Sequence, residues 1–421
     1  MPLINKYINV MKSKLYFIVP ALIFSLLPGL SHSQTWKSVK SIPAVRDGAI
    51  SFSIGSYGFC GGGGEMQDDF WKYNPKTNAW TQLANIPGVK EGRGFAVGVA
   101  DGKYGYVGFG QDSASQTAVT RDWWRYDTAT NKWTQKAMFP GYTRDAAGVF
   151  AINGTIYVFG GVDSAFEYLS DCWAYDTGAD KWTLVGLMPD WIAFPSTFVI
   201  NGKGYFTCYV SGTNGLESTD LYVFDPNAKT WTTKASFPGA PRQAGTAFVL
   251  NNVAYVGLGQ SQYTTVYNDF YSYTPGTDTW ISVPNFGGGL RAWPCAFAIG
   301  NNGYVGTGSY VSGISLVTTA DWWQYVPTSL SVNELSNAGD FICYPMPAKN
   351  IVTIENTLHN NNEDLNYSVY NMAGQLMDAG KLANNNSKYT LNVSELSNGE
   401  YFLCLKGDNI TMVSKKIVVM Q

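Results

Sequence analysis

Apolar and polar residues alternate with a period of two along most of the chain, in short runs punctuated by Gly, Asn, Asp and Pro. That alternation predicts β-strands with one face buried. Residues 144–186 show the grammar. RDAAGVFAI (144–152) leads into Asn153-Gly154, a pair that accepts the positive φ angles of a type I′ hairpin turn. TIYVFGG (155–161) reads as a second strand and DCWAYD (171–176) as a third, with aromatics at alternate positions. KWTLVG (181–186) follows the turn TGAD as a fourth. Equivalent turns are expected at Asp101-Gly102, Asn201-Gly202, Asn251-Asn252 and Asn301-Asn302. Four strands cannot bury both faces of their own sheet, whereas units stacked side by side can.

The third strand of this unit recurs. DFWKYNPKTNAW starts at Asp69, DWWRYDTATNKW at Asp122, DCWAYDTGADKW at Asp171, DLYVFDPNAKTW at Asp220, DFYSYTPGTDTW at Asp269, and a shortened DWWQYVP at Asp321. The spacings of 53, 49, 49, 49 and 52 residues define six units of one supersecondary design. First strands rich in Ala, Gly, Ser and Thr suit a crowded axis. Aromatic third and fourth strands suit the wider outer part of a radial array. The sixth unit lacks a fourth strand, and TWKSVKSIP (35–43) supplies one at the start of the chain. Trp36 stands seven residues before Pro43, as Trp80, Trp133, Trp182 and Trp231 stand before Pro87, Pro140, Pro189 and Pro238. Only the unit of Trp280 departs from this spacing. The amino-terminal strand is therefore expected to complete the last blade and cover its edge. The glycine pairs, the spaced aromatic and the Trp after a short turn resemble Kelch repeats over residues 35–327. Only the first and third units keep the glycine pair (Gly61–Gly64 and Gly160-Gly161).

Past residue 327 the grammar changes. TSLSVNELSNAGD (328–340) reads as a linker, and 341–421 restarts a β pattern that suggests a small sandwich. Tyr344-Pro345-Met346-Pro347-Ala348, Tyr370 with Gly374, Leu396 with Gly399 and Tyr401, and Lys415-Lys416 before the last strand resemble the C-terminal sorting domain of the type IX secretion system of Bacteroidetes. The family commonly has Asn where Met346 stands. The resemblance implies passage across the outer membrane through that machinery, with the domain removed on surface attachment or release. The expectation is thus all-β: a six-bladed Kelch-type β-propeller over 34–327 followed by a small C-terminal β-sandwich.

Composition adjusts this picture in three places. Lys12 and Lys14 before the apolar LYFIVPALIFSLL (15–27), then SHS, read as a signal peptide over 1–33, cleaved after Ser33. The mature chain is expected to have no membrane span and to be secreted or held at the outer surface. A formal charge of −3 with no basic stripe argues against nucleic acid. The six scattered cysteines mostly sit inside apolar strands and read as buried free thiols, with Cys343 and Cys404 as the pair worth testing for a disulfide.

Candidate chemistry begins with an absence. The two histidines, His32 and His359, both lie outside the propeller. Imidazole-based nucleophile activation and imidazole metal sites are therefore not expected there, and no cofactor is called for. Galactose oxidase also carries Kelch blades, but its copper needs histidine ligands. The long second-to-third-strand loops share a face with the blade-to-blade connections, which makes that face the expected binding surface. It carries Arg46, Arg93, Arg144, Arg242 and Arg291, with Phe194 in their place in the fourth unit. These arginines suit a sugar carboxylate or, equally, loop carbonyls of the chain itself. Trp191 and Trp293 offer stacking surfaces for a glycan or a surface protein. The repeated Asp residues read as scaffold. A non-catalytic binding protein is the first expectation. The alternative is a metal-free sugar mutarotase or epimerase of the sialate type, using Glu167 or Glu217 with an Arg.

Overall fold

The computed structural model describes residues 35–64, 67–89, 92–112, 119–262, 264–313, 315–327, 341–357, 364–371, 376–407 and 413–420. The expected leader and linker lie outside the described residues. Among those described there is no helix, so none is long and apolar enough to cross a membrane.

Six four-stranded antiparallel sheets form the propeller. The first blade runs Ile50–Ile54, Tyr57–Gly61, Phe70–Asn74 and Ala79–Gln82 from the axis outward. Blades two to five repeat that order, and the six inner strands pack side by side in a closed circuit. The sixth blade has Thr35–Val39 as its outermost strand, antiparallel to Trp322–Val326, with Trp36 opposite Tyr325. This pairing covers an edge that would otherwise present bare backbone groups. Trp36 fixes the register: its ring packs against Phe270, Phe286 and Tyr325, and its Nε1 donates to the Pro284 carbonyl at 3.1 Å. Two inner hairpin turns sit one residue away from the expected pairs. Asp101 faces Tyr104 and Ile299 faces Asn302, so the turn residues are Gly102-Lys103 and Gly300-Asn301. In both, glycine stands at the first turn position with a positive φ, a conformation it adopts without steric penalty.

Blades interlock by a size rule. The third residue of an inner strand, on its buried face, is thrust at the second residue of the next blade's second strand. Phe297 meets Gly58, Phe52 meets Gly105, Phe150 meets Gly204 and Phe248 meets Gly303; a Cβ on any of these glycines would lie 2.2–2.4 Å from the ring. Between blades two and three the bulk is exchanged: Val99 is the smaller knob and the buried Ile156 fills the hole. Between blades four and five Phe198 packs with Ala254. Each junction thus sets one residue of the pair against the other, with the larger side chain on one side or the bulk divided between the two.

The C-terminal region has one three-stranded sheet (Phe341–Tyr344, Ile351–Asn356, Lys388–Asn392). A four-stranded sheet comprises Leu376–Leu382, Leu365–Asn371, Gly399–Lys406 and Val413–Val419. Val352, Ile354, Leu391, Leu403, Leu405 and Ile417 share one apolar core.

The size rule is testable. Gly105→Ile alone should destabilise the propeller by about 2–3 kcal/mol through overpacking against Phe52. Adding Phe52→Val, which copies the Val99–Ile156 junction, should recover at least about 1 kcal/mol in urea unfolding. Additive losses would show that the two positions do not share one space.

Candidate functional site

The arginines and the repeated aspartates prove to be a single feature. Each Arg ends a blade-to-blade connection and turns its guanidinium down the blade onto the Asp that opens the third strand. Arg46 Nη1 and Nη2 donate to Asp69 at 2.8 and 2.9 Å, and Arg144 does the same to Asp171. Arg93 grips Asp122 at 2.8 and 2.6 Å, and Arg242 grips Asp269. Nη1 in each of these four also donates to a carbonyl 16 residues on, at Gly62, Phe109, Gly160 or Leu258. Asp69, Asp122 and Asp171 in turn accept the indole N–H of Trp71, Trp124 and Trp173 two residues later, as Asp321 of the sixth blade does from Trp323. All five arginines are at most 4% exposed. Burial alone would raise the Asp171 carboxyl. The hydrogen bonds and charge of Arg144, aided by the Trp173 indole, overcome this and hold it below the usual carboxylate range. The guanidinium forks therefore already hold carboxylates, those of their own chain, beneath the face on which a ligand would land. The fourth blade has no such pair. Register places Ile192 at the arginine position there, not Phe194, and Ile192 packs over Gly160.

Phe194 belongs instead to the mouth of the axial channel. Gly48, Phe95, Ala146, Phe194, Ala244 and Trp293 all have φ between 50° and 55°. Each donates its N–H to the carbonyl of the one before, from Phe95 onto Gly48 round to Gly48 onto Trp293, at 2.8–3.2 Å. Side chains alternate around this circle, small in blades one, three and five and aromatic in two, four and six. Phe95 stands edge-on to Phe194 and to Trp293, with centroids 5.9 and 6.1 Å apart. A mouth cavity of about 150 Å³ is lined by this set. Trp293 thus sits at the axis, whereas Trp191, half exposed, lies on the fourth blade beside Gly212.

A larger cleft, of about 480 Å³, opens beside the sixth blade, lined by Leu290, Arg291, Tyr310, Thr319 and Asp321. It lies where the Trp–Pro spacing breaks. Gly287, Gly288 and Gly289 replace the proline-led turn; the first two have no room for a Cβ against Trp36, Phe286 and Trp323, and Gly289 takes φ +82°. This loop changes how Arg291 binds. Only Nη2 reaches Asp321, at 2.8 and 2.7 Å to its two oxygens, while Nη1 turns to the Leu290 carbonyl. The Tyr310 ring lies 5.4 Å from the guanidinium. Arg291 thus borders the cleft together with its carboxylate partner Asp321.

The two expected carboxylates are not brought to the mouth. Glu167 is exposed, and Glu217 accepts the backbone N–H of Gln262 at 2.7 Å, tying two loops together. Sequence reasoning passed over Asp145, beside Arg144. It is 6% exposed and accepts from Gln111 Nε2 of the preceding blade at 2.5 Å. Burial raises its carboxyl to about 6 against the opposing pull of that hydrogen bond. Among the described residues no group of His, Cys, Asp and Glu stands together so as to hold a metal ion.

The sign for Asp145 follows from linkage. A carboxyl raised in the folded state is protonated there while the unfolded chain has already ionised, so stability falls as pH rises from about 4 to about 6. Asp145→Asn should therefore stabilise the protein by roughly 2–3 kcal/mol above pH 7 and leave it unchanged near pH 4. Chemical denaturation at the two pH values measures this; equal effects at both would refute it.

Comparison with known proteins agrees with this architecture. Residues 138–308 match the family model described as the KLHDC2/KLHL20/DRC7 Kelch-repeats domain. Residues 342–420 match the secretion system C-terminal sorting domain, which implies delivery outside the cell or to its surface by the secretion machinery. N-acetylneuraminate epimerase of Pasteurella multocida (strain Pm70) is 27% identical over 143 residues, 34% of this chain and 38% of that protein. The Escherichia coli (strain K12) protein of that name is 35% identical over 117 residues, 26% of this chain and 30% of its own. The chain thus matches less than two fifths of the length of these relatives. The solved structure titled "Structure of YjhT" superimposes with a TM-score of 0.57 at 17% identity, covering 67% of this chain and 95% of that one; it speaks for the fold. The chain is a Kelch-repeat β-propeller followed by a C-terminal sorting domain of the secretion-system family.

Proposed function

We propose that this protein is exported to the cell exterior and there holds a sugar on the loop face of its propeller, in the cleft beside the sixth blade. The observation that carries the reading is the Arg291–Asp321 pair under the Tyr310 ring at the edge of that cleft. A guanidinium and a carboxylate side by side offer donors and acceptors to adjacent sugar hydroxyls, and an aromatic face suits the apolar side of a pyranose. The other four arginines are buried in closed pairs, so their part is to fix the loops around this opening. N-acetylneuraminate is the first sugar to try, because relatives over part of the chain are named for it.

Those names also favour a second reading, interconversion of sugar forms. It needs a carboxylate within reach of the ring, and Asp321 is the one the cleft offers. Glu167 and Glu217 do not fit that task where they stand.

Titration calorimetry of the full chain with N-acetylneuraminate, and with neutral hexoses as comparison, tests the binding. Tyr310→Ala should weaken affinity about tenfold, roughly 1.4 kcal/mol, without loss of fold. Arg144→Ala should act on stability instead. No heat with any sugar, or an affinity indifferent to Tyr310, would sink the site. Exchange spectroscopy of the bound sugar's anomers separates the readings: acceleration lost in Asp321→Asn supports catalysis, and no acceleration leaves binding alone.

A further inference from the structure

The junction between the sixth and first blades differs from the other five. It is the one that the order of the chain does not make automatically, since its two sides are contributed by segments more than 200 residues apart. Cys60, in the second strand of the first blade, and Cys295, the first residue of the sixth blade's inner strand, meet there with Sγ atoms 3.7 Å apart. Both are buried and both are free thiols. Cys295 Sγ also lies 3.4 Å from the Ala49 carbonyl, and Ser51, which pairs with Cys60, bonds to both backbone groups of Ala296. The two cysteines are thus held across the same interlocked pair of strands. At the equivalent positions of the next two junctions stand Ile50 with Val107 and Val97 with Val158, ordinary apolar pairs. Two thiols replace such a pair only where the circle has to close.

We propose that Cys60 and Cys295 become a disulfide during export and lock the first blade to the sixth. The sulfurs are shielded once the blades have met, so the bond forms as the junction closes. One thiolate attacks the disulfide of a thiol oxidoreductase, giving a mixed disulfide. The other cysteine then displaces the oxidoreductase sulfur. The S–S bond forms, the two thiols lose two protons, and their two electrons leave as the oxidoreductase dithiol. The exported location implied by the sorting domain is the setting in which such a bond persists. The loop it closes spans 235 residues, which confines the unfolded chain strongly.

Protein recovered from the exporting cell is denatured and alkylated without reductant, digested and examined by mass spectrometry. The expected result is one linked peptide carrying Cys60 and Cys295, with Cys172 and Cys208 alkylated. Alkylation of both Cys60 and Cys295 overturns the proposal. Reduction of the linked protein should lower its thermal midpoint by on the order of 10 °C. The double variant Cys60→Val, Cys295→Val should melt at a temperature indifferent to reductant. A linked protein whose midpoint ignores reduction would show that the bond does not lock the junction.

Discussion

Six backbone hydrogen bonds run in a circle around the propeller axis, each blade donating to the one before it. The constraint is severe, because a circle of this kind has no free end. Every member must sit in the left-handed region and every blade must arrive at the same height. Gly48 takes that conformation freely, whereas Phe95, Phe194 and Trp293 are held in it by what surrounds them. The Arg–Asp pairs two residues earlier are part of that holding. They pin the approach of each connection to its own blade, so that the next residues reach the axis in register. Removing one partner of such a buried pair leaves a charge without an answer, a loss of about 3–5 kcal/mol.

Much of the architecture was legible because it repeats. Six third strands, an incomplete last unit and a spare strand at the start are one-dimensional facts, and the covering of the last blade by the strand of Trp36 follows from counting. The site was less legible, for a physical reason. The ring of arginines and the ring of aspartates were each visible, but a bond between Arg46 and Asp69 joins side chains whose directions depend on strand geometry. The two therefore read as separate features until the fold brought them together. Phe194 was matched to the wrong ring for the same cause, a two-residue offset that only the backbone circle resolves. The broken spacing after Trp280 was a real signal. Its meaning, a glycine loop that opens a cleft and turns Arg291 aside, lies in tertiary packing against Trp36 and Trp323. Asp145 with Gln111, and Cys60 with Cys295, join different blades and leave no local trace at all.

The repeat and the exceptions to it divide the labour. Where all blades agree, the residues hold the circle. Where one blade departs, as at Ile192 in the fourth or Gly287–Gly289 in the sixth, surface is released from that duty and becomes available to something else. A fold built from copies gains its particular chemistry from its errors of copying.

The outer edge of the sixth blade carries a further consequence. Thr35 lies directly opposite Val326, so both ends of the propeller segment emerge at one corner of one sheet. Any protease that trims either end works within a strand's width of the other. A cut that strays past Thr35 would take away the covering strand and leave Trp322–Val326 as a bare edge. Such an edge recruits the nearest strand of matching pattern, and in a crowded export route that strand is the Thr35–Val39 segment of another copy. Retention of the Thr35–Val39 strand is therefore what keeps the Trp322–Val326 edge from pairing with another copy.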